Sequence, residues 1–117
     1  MYLDLHTMNS TKSIYNIIDL FCGTGSFSQG FMEKDSSFNL LCAVDILKNA
    51  TDTVKLNHPE TNVINDDIRN IDLDELNNKL SHKKVDVIIG GPPCQGFSSL
   101  RPNRSRGKED DRNNLFY

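Results

Sequence analysis

The sequence predicts an α/β fold, a Rossmann-like parallel sheet with helices on both faces, and three observations support this prediction. Short apolar runs alternate four times with helix-favouring segments, the links between them are short, and the first two runs end at a glycine turn and at an aspartate. Parallel strands need a crossover connection, which is usually a helix lying on a face of the sheet. Repeated right-handed crossovers therefore account for the alternation.

The individual elements follow from local composition. Strands are predicted where apolar and β-branched residues run together, and helices where apolar residues recur every three or four positions. Pro59 ends the second helix, and Asp72 with Glu75 forms a capping-box-like start for the third. In chain order, the predicted elements are a strand at 14–21, a helix at 24–34, a strand at 38–44, a helix at 47–57, a strand at 62–64, a helix after residue 72 and a strand at 84–89.

Length and charge restrict the possible functions. A chain of 117 residues has room for one small domain, and we predict a flexible N-terminal arm over residues 1–13 followed by one unit over residues 14–117. The 13 basic and 16 acidic side chains give a net charge of −3, which argues against a protein that coats nucleic acid by bulk charge. Hydrophobic residues make up 37%, which is low for an independent domain and predicts an incomplete core.

Cysteine usage and hydropathy predict a cytoplasmic protein. Cys22, Cys42 and Cys94 are odd in number and form no Cys-x-x-Cys pair, so neither a disulfide framework nor a zinc site is expected. The N-terminus lacks a signal-peptide pattern, and no apolar run reaches the length of a membrane span. We therefore expect a reducing compartment and no bound metal.

Three successive strand ends carry residues suited to a nucleoside. Gly23 and Gly25 form a turn after the first strand, at the edge where open parallel sheets bind ligands. Asp45 follows Gly25 by 20 residues, the spacing at which a carboxylate accepts hydrogen bonds from ribose hydroxyls. Asp67 and Ile68 follow the third strand, where they could bind an adenine amino group and pack on the ring. The pyrophosphate fingerprint lacks its third glycine, which favours an adenosine ligand without a pyrophosphate.

The loop after the fourth strand carries a thiol held between rigid residues. Free cysteine is usually a small buried hydrophobe, which suits Cys22 and Cys42 within or beside predicted strands. Cys94 instead follows two glycines and two prolines, so an exposed and fixed position is expected. A thiolate in such a position could attack electron-poor carbon.

In order and spacing, these motifs resemble the DNA (cytosine-5) methyltransferases. The resemblance covers roughly residues 14–116 and implies that residues 14–117 are the N-terminal part of an S-adenosylmethionine-dependent methyltransferase domain. The family's sheet runs in the order third, second, first, fourth strand, which would leave the fourth strand of this chain at an edge. The matching residues are Asp19-Leu-Phe-Cys-Gly-Thr-Gly, Asp45, Asp67-Ile68 and Gly91-Pro-Pro-Cys-Gln-Gly-Phe-Ser98.

The resemblance also implies a role for each matching residue. S-adenosylmethionine would be the cofactor, S-adenosylhomocysteine its product and double-stranded DNA the substrate. Cys94 would add to C6 of a flipped cytosine, because this carbon is unreachable inside the base stack. The implied cofactor contacts are Phe21, Gly23, Thr24, Gly25, Asp45, Ile46, Asp67, Ile68 and Pro93. The implied DNA contacts are Gln95, Ser98 and Arg101.

Departures from the family pattern bear on activity. The family most often has glutamate at the ribose position and a further glycine after Gly25, where this chain has Asp45 and Ser26. Its Glu-Asn-Val motif, its arginine-bearing motif, its target recognition domain and its closing C-terminal helix are absent from these 117 residues. We therefore expect the chain alone to be inactive and to work with a missing C-terminal part or a complementing chain. Self-association through the exposed sheet edge is also expected.

Two other functions stay open at this point. One is a non-catalytic S-adenosylmethionine-binding subunit, or the remnant of a split methyltransferase, which the absent motifs favour. The less favoured alternative is an amino-methyltransferase. Those enzymes have an aromatic residue where this chain has Cys94, and they form no covalent intermediate.

Overall fold

The computed structural model describes residues 12–34 and 37–94 together with Leu115. Nearly all of the predicted N-terminal arm lies outside these residues. Each predicted strand and helix is present, and one short 3₁₀ turn was not anticipated. The elements are β1 (Tyr15–Leu20), α1 (Ser26–Lys34), β2 (Phe38–Asp45), α2 (Lys48–Asn57), β3 (Asn62–Asn65), the 3₁₀ turn (Ile68–Asn70), α3 (Leu73–Lys79) and β4 (Val87–Gly90).

The four strands form one parallel sheet in the order β3-β2-β1-β4, which confirms the arrangement implied by the resemblance. Ile17 pairs with Leu40 but Ile18 pairs with Cys42, so β2 carries one extra residue, Leu41, at this point. A bulge of this kind breaks the strict alternation of side chains between the faces. Leu41 and Cys42 accordingly pack in the same core cluster.

Helices cover both faces of the sheet, as predicted for a Rossmann-like fold. On one face, Ile17 and Leu40 pack with Val54 of α2 and with the partly buried Phe31 of α1. The other face is covered by Leu80, directly after α3. The buried residues of this second cluster are Ile18, Leu41, Cys42, Val44 and Leu80. Within the described ranges, no helix combines the length and the apolar character needed to cross a membrane.

Local side-chain contacts mark the beginnings of α3 and β4. Oδ1 of Asp72 accepts hydrogen bonds from the backbone N–H groups of Asp74 and Glu75, both at 2.9 Å, which confirms the predicted start of α3. β4 begins later than predicted, at Val87. Just ahead of it, the carboxylate of Asp86 accepts a 2.9 Å hydrogen bond from the backbone N–H of Asn16, so a side chain anchors this segment to the start of β1.

Candidate functional site

An open cleft of about 480 Å³ lies at the carboxyl edge of the sheet, beside the ends of all four strands. Parallel α/β sheets bind ligands at this edge, and small-molecule sites usually have volumes of roughly 300–1,000 Å³. Apolar residues dominate the lining, and the described residues add three carboxylates and one guanidinium. The lining residues are Phe21, Val44, Asp45, Ile46, Leu47, Asp66, Asp67, Ile68, Arg69, Gly91, Pro93 and Leu115.

The turn after β1 has left-handed backbone geometry at three positions. The φ angles of Phe21, Gly23 and Gly25 are 60°, 53° and 87°. A Cβ on Gly25 would lie 3.2 Å from Cγ2 of Val54, so both the conformation and the packing favour glycine there. Phe21 has no such freedom, and surrounding contacts must offset the cost of its conformation. This strained geometry places Phe21 in the wall of the cleft.

The half-buried carboxylate of Asp45 joins the turns that follow β1 and β2. Its Oδ2 accepts a 2.8 Å hydrogen bond from the N–H of Gly23, and its Oδ1 accepts a 2.9 Å hydrogen bond from the N–H of Leu47. The backbone carbonyl of Asp45 accepts a 3.1 Å hydrogen bond from the side-chain amide of Asn65, which ties in the end of β3. A carboxylate offers about four acceptor positions, so about two remain for other donors.

The carboxylate of Asp67 is held by Arg69, and both residues line the cleft. Oδ1 of Asp67 accepts from the backbone N–H and from Nε of Arg69, at 2.9 and 3.0 Å, and Oδ2 accepts from Nη2 at 2.6 Å. These hydrogen bonds, with the charge of Arg69, lower the pKa of Asp67 to about 2. The carboxylate is therefore ionised at neutral pH and acts only as an acceptor.

The residues after β4 form a further wall of the cleft. Gly91 and Pro93 line it, and the next residue, Cys94, is exposed. β1 and β4 approach each other closely where they end. A Cβ on Gly90 would therefore lie only 2.6 Å from the carbonyl oxygen of Leu20. The thiol of Cys94 thus follows a cleft-lining residue directly and is open to solvent.

Three buried ionisable groups lie in β1, in β2 and in the turn after β1. Asp19 is 1% exposed, and its Oδ2 has no hydrogen-bond partner among the described residues. Burial raises the pKa of Asp19, and the hydrogen bonds of Ser28 offset part of this rise. Burial, together with nearby negative charge, raises the pKa of Cys22 to about 12, and burial raises the pKa of Cys42 to about 11. Neither buried thiol ionises appreciably at neutral pH, which leaves Cys94 as the exposed cysteine.

The cleft brings together most of the cofactor contacts expected from the sequence. Gly23 contributes its N–H to Asp45, whereas Thr24 and Gly25 line a separate groove beside α1 and α2. The expected DNA contacts Gln95, Ser98 and Arg101 lie outside the described residues. The expected cofactor contacts that line the cleft are Phe21, Asp45, Ile46, Asp67, Ile68 and Pro93.

Several other residues that line the cleft are not among the contacts predicted from the sequence. Leu47 and Asp66 are neighbours of expected contacts, and Leu115 is far away in the sequence. Arg69 is the residue of this group that a sequence pattern could have identified. A cation two residues after a strand-end aspartate can fold back on that carboxylate, which satisfies both charges locally.

Comparison with known proteins places the chain among DNA methylases. Residues 15–117 match the family of C-5 cytosine-specific DNA methylases. The chain is 48% identical over 101 residues to the type II methyltransferase M.DdeI of Desulfomicrobium norvegicum, a match that covers 86% of this chain and 23% of that protein. It is 42% identical over 99 residues to the type II methyltransferase M1.HphI of Haemophilus parahaemolyticus, which covers 85% of this chain and 26% of that protein.

A solved structure shares the fold. It is an E. coli protein described as a DNA modification methyltransferase encoded within a prophage, and it superposes with a TM-score of 0.69 at 33% identity. The superposition covers 87% of this chain and 26% of that chain, so the chain spans about a quarter of the length of the relatives it matches. Family membership implies the use of S-adenosylmethionine. On the match over residues 15–117, the chain belongs to the family of C-5 cytosine-specific DNA methylases.

Proposed function

We propose that this chain forms the S-adenosylmethionine-binding part and the nucleophile loop of a DNA (cytosine-5) methyltransferase. The observation that carries the proposal is a cleft, in a chain of this family, lined by residues at or just after the ends of three different strands: Asp45, Asp67 and Pro93. Carboxylates accept hydrogen bonds from hydroxyl and amino groups, and apolar side chains cover a ring. The residues therefore fit S-adenosylmethionine, which when bound supplies the methyl group.

The ribose is assigned to Asp45. The N–H groups of Gly23 and Leu47 hold its carboxylate, and the acceptor positions that they leave suit the two ribose hydroxyls. Gly23 supports this assignment as well. A Cβ at Gly23 would have no other atom within 4 Å, so its backbone is open to close approach by a ligand.

The adenine is assigned to Asp67 and Ile68. The ionised carboxylate of Asp67 accepts from the adenine amino group, and the half-buried Ile68 packs on the ring. Ile46 and Leu47 are exposed although they line the cleft. A bound nucleoside would cover part of their apolar surface, at roughly 25 cal/mol for each Å² removed from water.

Cys94 is assigned the covalent step. Its thiolate adds to C6 of an extruded cytosine, so an Sγ–C6 bond forms and electron density moves to C5, which accepts the methyl group. Loss of the C5 proton to a base and departure of the thiolate restore the aromatic ring and the free cysteine. The exposure of Cys94 supports this assignment, because the other two cysteines are buried.

DNA binding and completion of the site belong to the same proposal. Gln95, Ser98 and Arg101 would contact DNA. The acid for the cytosine ring nitrogen and the surface that reads the target sequence would come from further polypeptide or a complementing chain, because the Glu-Asn-Val motif is not in these 117 residues. Loss of a positioned acid costs ~10²–10⁴ in rate, so this chain alone should be inactive. Because the substrate is DNA, we assign the activity to the cytoplasm, at the nucleoid in a bacterium.

A chimeric enzyme tests the proposal. The chain replaces the segment of M.DdeI to which it is similar, and the chimera is mixed with S-adenosylmethionine and a duplex that carries 5-fluorocytosine at the target position. Fluorine at C5 prevents loss of the proton, so the covalent complex accumulates and survives denaturation. Cys94→Ser is expected to abolish this complex. Cys42→Ala, which alters a buried cysteine outside the cleft, is expected to retain it.

The purified 117-residue chain provides the second test. We expect it to bind S-adenosylhomocysteine in calorimetry and to transfer no tritiated methyl group to duplex DNA. Binding by the chain without trapping by the chimera would favour the non-catalytic subunit. Methylation of an exocyclic nitrogen by the chimera would favour the amino-methyltransferase. Methyl transfer by the chain alone would show that it needs no further polypeptide.

A further inference from the structure

We propose that Arg69 is a positioning residue that makes the cleft select an amino group over a carbonyl group at the purine 6-position. The inference rests on the proposed function, because it assumes that Asp67 faces the adenine. Arg69 would act through Asp67, by fixing the orientation in which this carboxylate meets the ligand.

The hydrogen bonds between Asp67 and Arg69 leave about one acceptor position of the carboxylate for a ligand. Oδ1 of Asp67 accepts from both the backbone N–H and Nε of Arg69. Among the described residues, Oδ2 accepts only from Nη2 of Arg69. About four acceptor positions exist on a carboxylate, so about one remains, and it lies on Oδ2. Rotation of the carboxylate would break a two-pronged, charge-assisted interaction. The remaining acceptor position is therefore directional.

The pair also lies where a ligand would meet it. The Asp67 side chain is 19% exposed and the Arg69 side chain 43%, and both residues line the cleft with Ile68 between them. Two more charged residues of the described part of the lining, Asp45 and Asp66, are acidic. Arg69 is thus the one basic residue among the described residues of this lining, and it offsets the repulsion between the carboxylates.

A purely structural role for the pair is the competing explanation. Asp67 caps the 3₁₀ turn, because its side chain accepts from the backbone N–H of Arg69. If the ion pair only stabilised this turn, removing it would not change the relative affinities of the cleft for different purine nucleosides. Selectivity between two ligands that differ only at the 6-position therefore separates the two roles.

Adenine and hypoxanthine provide that difference. Adenine presents an amino donor at position 6, whereas hypoxanthine presents a carbonyl oxygen there and an N–H donor at position 1. A carboxylate held in one orientation accepts from the amino group and repels the carbonyl oxygen. A carboxylate freed from Arg69 can turn toward the N–H group of hypoxanthine, and discrimination should fall.

Calorimetry with S-adenosylhomocysteine and S-inosylhomocysteine tests the inference on the 117-residue chain. We expect the parent chain to prefer the adenine ligand about tenfold or more, because a polar site rejects an analogue that leaves its groups unpaired. The preference should fall to about two- to threefold in Arg69→Ala. Arg69→Lys keeps the charge but lacks the fork, so most of the preference should also be lost. Lys55→Ala, which removes an exposed cation outside the cleft, should keep the parent ratio.

The outcomes are distinguishable. A parent chain that binds neither ligand would overturn the proposed function, and this inference with it. A parent chain that binds S-adenosylhomocysteine but shows no preference, or whose preference is unchanged in both Arg69 variants, would overturn the inference alone. Circular dichroism verifies folding, and if Arg69→Ala does not fold, Arg69→Lys decides.

Discussion

The backbone N–H of Gly23 donates a 2.8 Å hydrogen bond to Oδ2 of Asp45, so the turn after β1 is attached to the end of β2. The other carboxylate oxygen accepts from the N–H of Leu47. One side chain therefore sets the relative positions of two turns at the cleft. A ligand that binds to Asp45 would meet a carboxylate that is already oriented, and preorganisation of this kind lowers the entropy lost on binding.

Asp45→Ala is expected to weaken binding of S-adenosylhomocysteine about ten- to a hundredfold, because a hydrogen bond to a charged group contributes about 1.5–3 kcal/mol. Asp45→Glu restores a carboxylate that is one methylene longer, and should recover part of the affinity. Isothermal titration calorimetry measures both effects. Asp52→Asn removes a carboxylate of α2 outside the cleft and should bind like the parent. Equal affinities for Asp45→Ala and the parent would contradict the ribose assignment.

Substitution of two glycines by alanine is expected to have opposite effects on stability. Gly25→Ala should lower the free energy of unfolding by about 1–3 kcal/mol, because φ is 87° and the new Cβ would crowd Val54. Gly30→Ala should raise it by about 0.5–1 kcal/mol, since Gly30 lies within α1 and its Cβ would meet open space. Urea denaturation compares the two. A destabilised Gly30→Ala with an unchanged Gly25→Ala would show that the turn geometry is wrong.

Iodoacetamide at pH 7.5 is expected to alkylate Cys94 first. Cys94 is exposed, whereas Cys22 and Cys42 are buried with pKa values raised to about 12 and about 11. The thiolate fraction of the two buried cysteines is then below about one in a thousand, and only the thiolate reacts quickly. Mass spectrometry of tryptic peptides measures the order of labelling. Faster labelling of Cys42 would contradict the argument that Cys94 is the nucleophile because it is the exposed cysteine.

Asp19 should give the stability of the chain a distinct pH dependence. Its folded pKa is raised by burial, so the folded state keeps the proton to higher pH than the unfolded chain does. The contribution of Asp19 to stability is therefore greatest below about pH 4, the unfolded pKa, and falls as the pH rises through the folded pKa. Asp19→Asn cannot ionise and should gain stability relative to the parent over this range. Parallel pH profiles in urea denaturation would contradict the raised pKa.

The regular part of the fold is predictable because it depends on local patterns. Alternating apolar and helical segments indicate each strand and helix, and Asp72 caps α3 as its sequence context predicts. The strand order needed the family resemblance, since composition does not distinguish which strands are neighbours. Irregularities in strand pairing cannot be predicted from the sequence of one strand either. The bulge at Leu41 arises from register between two strands, which no single segment encodes.

The candidate site was predictable at the residues that end strands, and much less so elsewhere. Asp45, Asp67 and Pro93 lie at or just after the ends of strands whose carboxyl ends must meet at one edge of a parallel sheet. Arg69 is different, because its position depends on the side-chain fork that closes on Asp67. The left-handed backbone of Phe21 has no sequence signal, since this conformation is unusual for an aromatic residue.

β4, the edge strand of the described sheet, is expected to promote association between copies of the chain. β4 pairs with β1 on one side and ends the described sheet, and its Ile88 is 64% exposed. An uncovered apolar edge strand tends to pair with another chain. We therefore expect the isolated chain to self-associate with increasing concentration, and light scattering should detect the rise in average mass.

Ile88→Lys should reduce this association, because a charge on an edge strand opposes pairing between copies. Leu56→Lys is the matched control, since Leu56 is 84% exposed but lies on α2, away from the edge. It should associate like the parent. A parent chain that stays monomeric at high concentration and melts cooperatively would show that the edge needs no cover. Equal effects of the two lysine substitutions would show that association depends on general surface hydrophobicity and has no special dependence on β4.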